Sequence, residues 1–168
     1  MVDFDPRMDE YYPLLTAAHG NVKVRVRQSM DGKALIMTGL LGLPAGQPVL
    51  RVAPMPADVN AAGDIFGGWV MAHVDIAGGI VATQRARGRV ATVAVNSFQF
   101  KQPVSVGDVV SFYADVIEVG RTSITVDVSV YAERNPASPL VVKVTEAKLT
   151  FVALDREGVK RLVPAAVS

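Results

Sequence analysis

Residues 54–69 read Pro54-Met-Pro-Ala-Asp-Val-Asn60-Ala-Ala-Gly63-Asp64-Ile-Phe66-Gly67-Gly68-Trp69, and the chain then runs without a breaker proline to Arg87-Gly88. Ile65, Phe66, Trp69, Val70, Val74, Ile76, Ala77, Ile80 and Val81 recur around most of a helical circumference. The spacing predicts a helix of about five turns from Gly67, buried on nearly all sides. Gly78-Gly79 in its middle costs up to about 1 kcal/mol each relative to alanine, a cost that makes sense where another backbone packs closely. Arg85 and Arg87 suit the negative end of the helix dipole, and Gly88 is the expected stop.

The start of this helix carries the chemistry. A helix N-terminus leaves several N–H groups unpaired and bears a partial positive charge. Gly67 and Gly68 place almost no side chain over those amides, so a ligand oxygen can approach them. Asp64 stands just ahead. It reads either as the helix N-cap, for which aspartate is a preferred residue, or as a base or nucleophile beside an oxyanion site. Asn60 likewise has two readings, orienting water or substrate, or bonding the loop backbone.

After the helix, four stretches rich in β-branched residues show period-two patterning: Ala91–Phe100, Val109–Val119, Thr122–Glu133 and Leu140–Leu154. Turn signals separate them, at residues 101–108, at Gly120-Arg121 and at residues 135–139. A further short strand is expected at Val49–Ala53. One strand, one long helix and four long antiparallel strands make an α+β architecture. Residues 1–44 differ. The alternating run Val22–Arg27 and scattered Gly and Pro predict a partly disordered N-terminal extension. The domain proper is expected over 45–158, followed by a tail at 159–168.

Composition removes several classes. The formal net charge is +1, and basic residues never run longer than a pair, which argues against a nucleic-acid partner. The absence of cysteine removes disulfides, thiolate nucleophiles and cysteine zinc sites, and suits a reducing cytoplasm. His19 and His73 are the two histidines, so a histidine metal site is not expected. No apolar run reaches the ~18 residues that a membrane span requires, and the acidic N-terminus does not resemble a signal peptide. Hydrophobic residues form 50% of the chain, which points to burial in a homo-oligomer interface.

The segment Asn60–Trp69, its continuation Met71 and Asp75–Gly79, the turn Pro103-Val-Ser-Val-Gly107-Asp108 and the triplet Thr145-Glu146-Ala147 together resemble the YciA-type acyl-CoA thioesterases, bacterial relatives of the ACOT-type hydrolases. The likeness spans roughly residues 48–158. It implies the hotdog fold, an antiparallel sheet wrapped around one long central helix. It also implies hydrolysis of acyl-CoA to a free acid and coenzyme A, with no cofactor beyond the coenzyme A of the substrate. A cytoplasmic homo-oligomer follows, either a dimer or a hexamer built as a trimer of dimers. Asp64 takes the position of the catalytic aspartate. In one place the chain departs from the pattern: many relatives carry a basic residue directly before the proline matching Pro103, where this chain has Gln102.

The expected site therefore comprises Asp64, Asn60, Gly67 and Gly68 for catalysis. Phe66, Trp69 and Phe98 would meet the acyl group, and Lys101 and Arg121 the coenzyme phosphates. Core packing and solvated surface charge explain these five residues as well. A serine relay through His73 and Asp75 is disfavoured, because no Gly-x-Ser-x-Gly elbow exists. Two rivals remain: a hotdog dehydratase, which would need a histidine near the loop, and a non-catalytic acyl-CoA-binding regulatory module.

Overall fold

The structure, a computed structural model, describes residues 42–135 and 140–165, together with the backbone of four short strands ahead of them. Those strands form two antiparallel pairs: β1 (Ala18–His19) with β2 (Val22–Lys23), and β3 (Arg25–Gln28) with β4 (Ala34–Met37). Of the alternating run at 22–27, residues 22–23 fall in β2 and residues 25–27 in β3. They belong to a unit spanning Met1–Gly42, and a second unit spans Leu43–Ser168. The partial disorder expected of residues 1–44, and most of the expected break at 135–139, lie outside the described residues.

The second unit runs β5 (Leu50–Val52), a 3-10 turn at Pro56–Asp58, helix α1 (Gly67–Ala86), then β6 (Val90–Phe100), β7 (Val109–Val119), β8 (Ser123–Arg134) and β9 (Leu140–Ala153). The strands form one sheet in the order β5-β7-β8-β9-β6, antiparallel throughout. Helix α1 packs across β6 to β9. This is the expected α+β hotdog arrangement, and each expected strand begins and ends within a residue or two of the observed one.

Pleating explains which face meets the helix. On β8, Ile124, Val126, Val128 and Val130 are fully buried, while Thr125, Asp127 and Ser129 between them stay half-exposed. Pairing brings Ile124 opposite Phe151, Val126 opposite Leu149 and Val128 opposite Ala147, giving a continuous apolar floor. Burying one such branched side chain contributes about 1.5–3 kcal/mol, so the central rows β8 and β9 supply most of the core. Helix α1 lays Val70, Val74, Ala77, Gly78, Ala82 and Ala86 on that floor. Its other face is open: Met71, Ile76 and Ile80 are 43%, 48% and 36% exposed. The expectation of burial on nearly all sides is therefore corrected for the single chain, because the sheet lies on one side only.

Two further expectations change. An alanine Cβ at Gly78 would lie 3.0 Å from the Phe151 ring, so a buried aromatic side chain, not a backbone, occupies the space this glycine frees. The helix stop is also shifted by one residue. Arg87 is the left-handed residue (φ 50°), and its N–H bonds to Gln84 O while the Gly88 N–H reaches Thr83 O. That is the Schellman pattern with arginine in the usual glycine place.

The far end of α1 is fastened by the last described segment. The Arg161 guanidinium donates to Ala86 O (2.8 Å), Leu154 O (2.9 Å) and Leu162 O (3.3 Å), and Arg85 donates to Pro164 O. A cation on the orphan carbonyls at a helix C-terminus is favourable twice over, by hydrogen bonding and by the dipole. Replacing Arg161 by alanine is expected to lower unfolding stability by roughly 2 kcal/mol, read as a fall in urea midpoint at unchanged slope. A shift equivalent to less than about 0.5 kcal/mol would show that these bonds contribute nothing net.

Candidate active site

The helix start is held entirely by loop and backbone contacts. Val59 and Ile65 form an isolated antiparallel bridge, closed by Asn60 N–H to Asp64 O at 2.7 Å. Between them the chain turns through Gly63, whose φ of +92° admits glycine far more readily than any other residue. Gly63 N–H donates to Asn60 O, and Asn60 Oδ1 accepts from Ala62 N–H (2.8 Å) and Asp64 N–H (3.2 Å). Asn60 Oδ1 thus clamps the loop. Ile65 N–H then donates to Val104 O (2.9 Å) and Phe66 N–H to Asp58 O (3.0 Å).

Val104 is itself fixed by the turn at Pro103–Asp108. The carboxylate of Asp108 is nearly buried and accepts from Ser105 N–H (3.0 Å) and Arg134 Nε (3.1 Å), and Arg134 also donates to Pro103 O. A charge buried this far is tolerable only with such partners. The turn therefore acts as a support, positioning Val104 O, which pins Ile65, the residue after Asp64.

The N-cap of α1 is Phe66, which makes no side-chain cap. Asp64 is not the cap, and its half-exposed carboxylate has no hydrogen-bond or ion-pair partner among the described residues. The N–H groups of Gly67 and Gly68 likewise have no protein acceptor there. Nothing but glycine Hα atoms covers these amides from their own residues, and Gly68 has open space around it. An unpartnered carboxylate therefore sits a few residues ahead of two unpaired amides at a positive helix end.

The apolar residues expected around the acyl group divide. Phe66 is 55% exposed at the helix start. Phe98 is half-buried against the core, with its ring 4.8 Å from that of Phe100. Trp69 is also partly in the core, with its ring tilted against that of His73 (centroids 4.1 Å apart). His73 in turn stacks on Phe112, and its Nδ1 donates to Trp69 O at 2.8 Å; a carbonyl can only accept, so that nitrogen carries the proton. His73 is a helix-face residue here, not a relay member. Asp75 accepts from Thr92 Oγ1 at 2.6 Å, tying α1 to β6.

The two basic residues fare differently. Lys101 directly follows β6 at the same end of the sheet as the helix start, because Phe100 abuts Gly67. Its ammonium pairs with Glu146 at 2.8 Å, and Lys143 pairs with the same carboxylate. The Lys101 hydrogen bond, then that of Lys143, holds the Glu146 carboxyl below its ordinary range. A phosphate would have to share Lys101 with Glu146. Arg121 lies in the β7–β8 turn beside Val163, at the opposite end. The eleven-residue strand β7 puts it roughly 30 Å from the helix start. Within one chain the structure does not bring Arg121 to the helix start, because a hairpin tip falls a full strand away from the opposite rim.

Two residues escaped sequence reasoning. Phe100 stands with its ring 3.2 Å from where a Gly67 Cβ would be; its place on the same strand face as Phe98 was the available signal. Thr145 is fully buried on the helix-facing row of β9, and its hydroxyl has no partner among the described residues. Leaving a buried hydroxyl unpaired costs about 1–3 kcal/mol, which a valine of the same shape would avoid. Only its presence in the Thr145-Glu146-Ala147 motif hinted at it.

Comparison with known proteins agrees with this geometry. Residues 62–137 match the family model of the thioesterase superfamily. The chain is 46% identical over 124 residues to the acyl-CoA thioester hydrolase YciA of Escherichia coli strain K12, covering 73% of this chain and 94% of that protein. Among solved structures, the hexameric thioesterase y2039 from Yersinia pestis superposes with a TM-score of 0.69 at 46% identity, covering 73% of this chain and all of that one. An aspartate-to-alanine variant of HI0827, described as a hexameric broad-specificity acyl-coenzyme A thioesterase, gives 0.68 at 45% identity, covering 71% and 87%. The chain belongs to the YciA-type acyl-CoA thioester hydrolases of the hotdog-fold thioesterase superfamily.

Proposed function

We propose that this chain hydrolyses acyl-CoA thioesters to a free acid and coenzyme A, with Asp64 as general base or nucleophile and the Gly67 and Gly68 amides as the oxyanion site. The observation that carries the reading is the pairing of an unengaged carboxylate with unengaged amides. Attack on a thioester carbonyl builds negative charge on its oxygen, and a preorganised amide donor is typically worth on the order of 100-fold in rate. As base, Asp64 takes a proton from water as that water adds to the carbonyl, and the thiolate of coenzyme A leaves. As nucleophile, it adds to the carbonyl and displaces the coenzyme A thiolate, forming a mixed anhydride that water then opens to the free acid and the regenerated carboxylate. Either route is carried by protein groups and the substrate. Phe66 and Phe100 offer apolar surface for the acyl group beside the amides, and Lys101 is the cation closest in sequence to that rim. Such a substrate fits a cytoplasmic enzyme; among the described residues no helix is long and apolar enough to cross a membrane.

The assembly enters the same proposal. Strand β6 is a sheet edge of 11 residues, and Val93, Val95 and Phe100 along it are 55%, 50% and 53% exposed. A long apolar edge beside the open face of α1 is unstable as a free surface. A second copy, pairing edge to edge, would cover both. The solved relatives described as hexameric support a dimer that assembles further.

Two experiments test these statements. Because Asp64 caps nothing, Asp64→Asn should leave the melting temperature within about 1–2 °C of wild type while thiol release from acyl-CoA falls at least about 100-fold. Full turnover in that variant would remove Asp64 from the chemistry, and tight acyl-CoA binding without thiol release by the wild type would make the protein a binding module. Light scattering should show a dimer or a multiple of it. Val95→Lys on the β6 edge should shift the mass toward a monomer and abolish turnover if the site is completed across the interface. A wild-type monomer with full activity would overturn the shared site.

A further inference from the structure

Thr145 combines three observations that no packing need explains. Its side chain is completely buried, its Oγ1 has no partner among the described residues, and it sits at an irregularity in β9. Val130 pairs with Thr145 while Tyr131 pairs with Lys143, so Val144 is the extra residue of a bulge. The bulge leaves Val144 and Thr145 both buried in succession, breaking the alternation of the strand. Bulges of this kind re-aim a side chain and gather beside functional sites.

Thr145 lies toward the helix start. It shares the helix-facing row with Ala147, Leu149 and Phe151, and it is directly opposite Phe100 on β6. Such a cross-strand neighbour is about 5 Å away. Phe100 in turn is in contact with Gly67, whose amide is one of the two proposed oxyanion donors. Overhead, the connection Lys101–Val104 is fixed at one end to β9 by Lys101 N–H to Val144 O (2.8 Å) and at the other to Ile65. One aromatic residue, itself half exposed, therefore separates this unpaired buried hydroxyl from the place where the substrate carbonyl oxygen would rest.

We propose that Thr145 is a specificity-determining residue of this site: its hydroxyl hydrogen-bonds an oxygen carried by the acyl chain within a few bonds of the thioester carbonyl, as in a β-hydroxyacyl group. The proposal rests on the thioesterase reading and narrows its substrate class. An apolar pocket discriminates weakly between an acyl chain and its hydroxylated counterpart, whereas a pocket holding a buried polar group disfavours the chain that leaves that group unpaired. Phe66 supplies apolar surface and Thr145 the single polar contact, with the half-exposed Phe100 side chain swinging aside in this proposal to admit the acyl chain.

The test compares butyryl-CoA with 3-hydroxybutyryl-CoA in the full-length protein, by kcat/KM for thiol release. Wild type should favour the hydroxylated substrate. Thr145→Val, which keeps the shape and removes the hydroxyl, should lower that preference about tenfold, an effect of one hydrogen bond. It should do so by losing activity on 3-hydroxybutyryl-CoA alone, with butyryl-CoA turnover unchanged or raised and a melting temperature equal to or above wild type. Thr145→Ser should retain the wild-type preference. An unchanged preference in Thr145→Val, or an equal loss on both substrates, would overturn the proposal while leaving the thioesterase reading intact. Absence of thiol release from every acyl-CoA by the wild type would instead reject the thioesterase reading, and this proposal with it.

Discussion

The site depends on one constraint: the first turn of α1 is positioned without engaging its own polar groups. Most helices meet their orphan N–H groups with a side-chain oxygen at the N-cap. Here Phe66 occupies that position and caps nothing. The entry of the chain is determined instead by backbone bonds on the residues ahead of the helix, Ile65 to Val104 and Phe66 to Asp58, and by the Asn60 clamp. The loop's rigidity thus comes from atoms that take no part in chemistry. Among the described residues Asp64 and the two glycine amides have no partner, and a carboxylate and donors kept unengaged are what a reaction at a carbonyl can use.

That arrangement has a supporting layer one step further out. Val104 presents its carbonyl to Ile65 because the Pro103–Asp108 turn is braced by the buried Asp108 and its partly buried partner Arg134. The brace links the β8 terminus to the turn between β6 and β7, which through Val104 O holds the loop ahead of the helix. A buried ion pair is poor evidence for stability in itself. Its value here is geometric, since losing either member would free the turn and with it the residue adjacent to Asp64.

The long elements were legible because the physics that makes them is local in sequence. Period-two patterning of β-branched residues located β6 to β9, and the unbroken apolar stretch located α1. The loop and helix start were legible through Gly63, Gly67 and Gly68, which each mark a backbone requirement. What could not be read was partnership. Most of the circumference of α1 is apolar, which in one chain meant burial on one side only, because sequence does not say whether a wall is supplied by the same chain or by another. The rim on which Arg121 lies was illegible for a related reason: a basic residue near a turn reads the same at either rim of a sheet, and only the register assigns the rim. Lys101 lies at the rim of the helix start, yet its engagement with Glu146 depends on a cross-strand neighbour 45 positions away. Thr145 was visible only as part of a motif, since burial without a partner is a property of the folded packing.

The exposed apolar surfaces and the candidate site share one edge of the molecule, and this bears on how the site excludes water. Phe66, Phe100 and Met71 are all more than two-fifths exposed in the single chain. A carboxylate and bare amides in open solvent gain little from each other, because charge interactions at an effective dielectric near that of water are worth about 1 kcal/mol at contact. The same groups enclosed by apolar side chains interact several times more strongly. Pairing along β6 would cover the apolar rim without touching the Asn60 clamp or the Asp108 brace, which lie in loops off the strand. The fold thus keeps two roles apart. Loops within one chain hold the reactive groups in place, while the open face of the helix and the sheet edge provide the surface through which a second copy can enclose them.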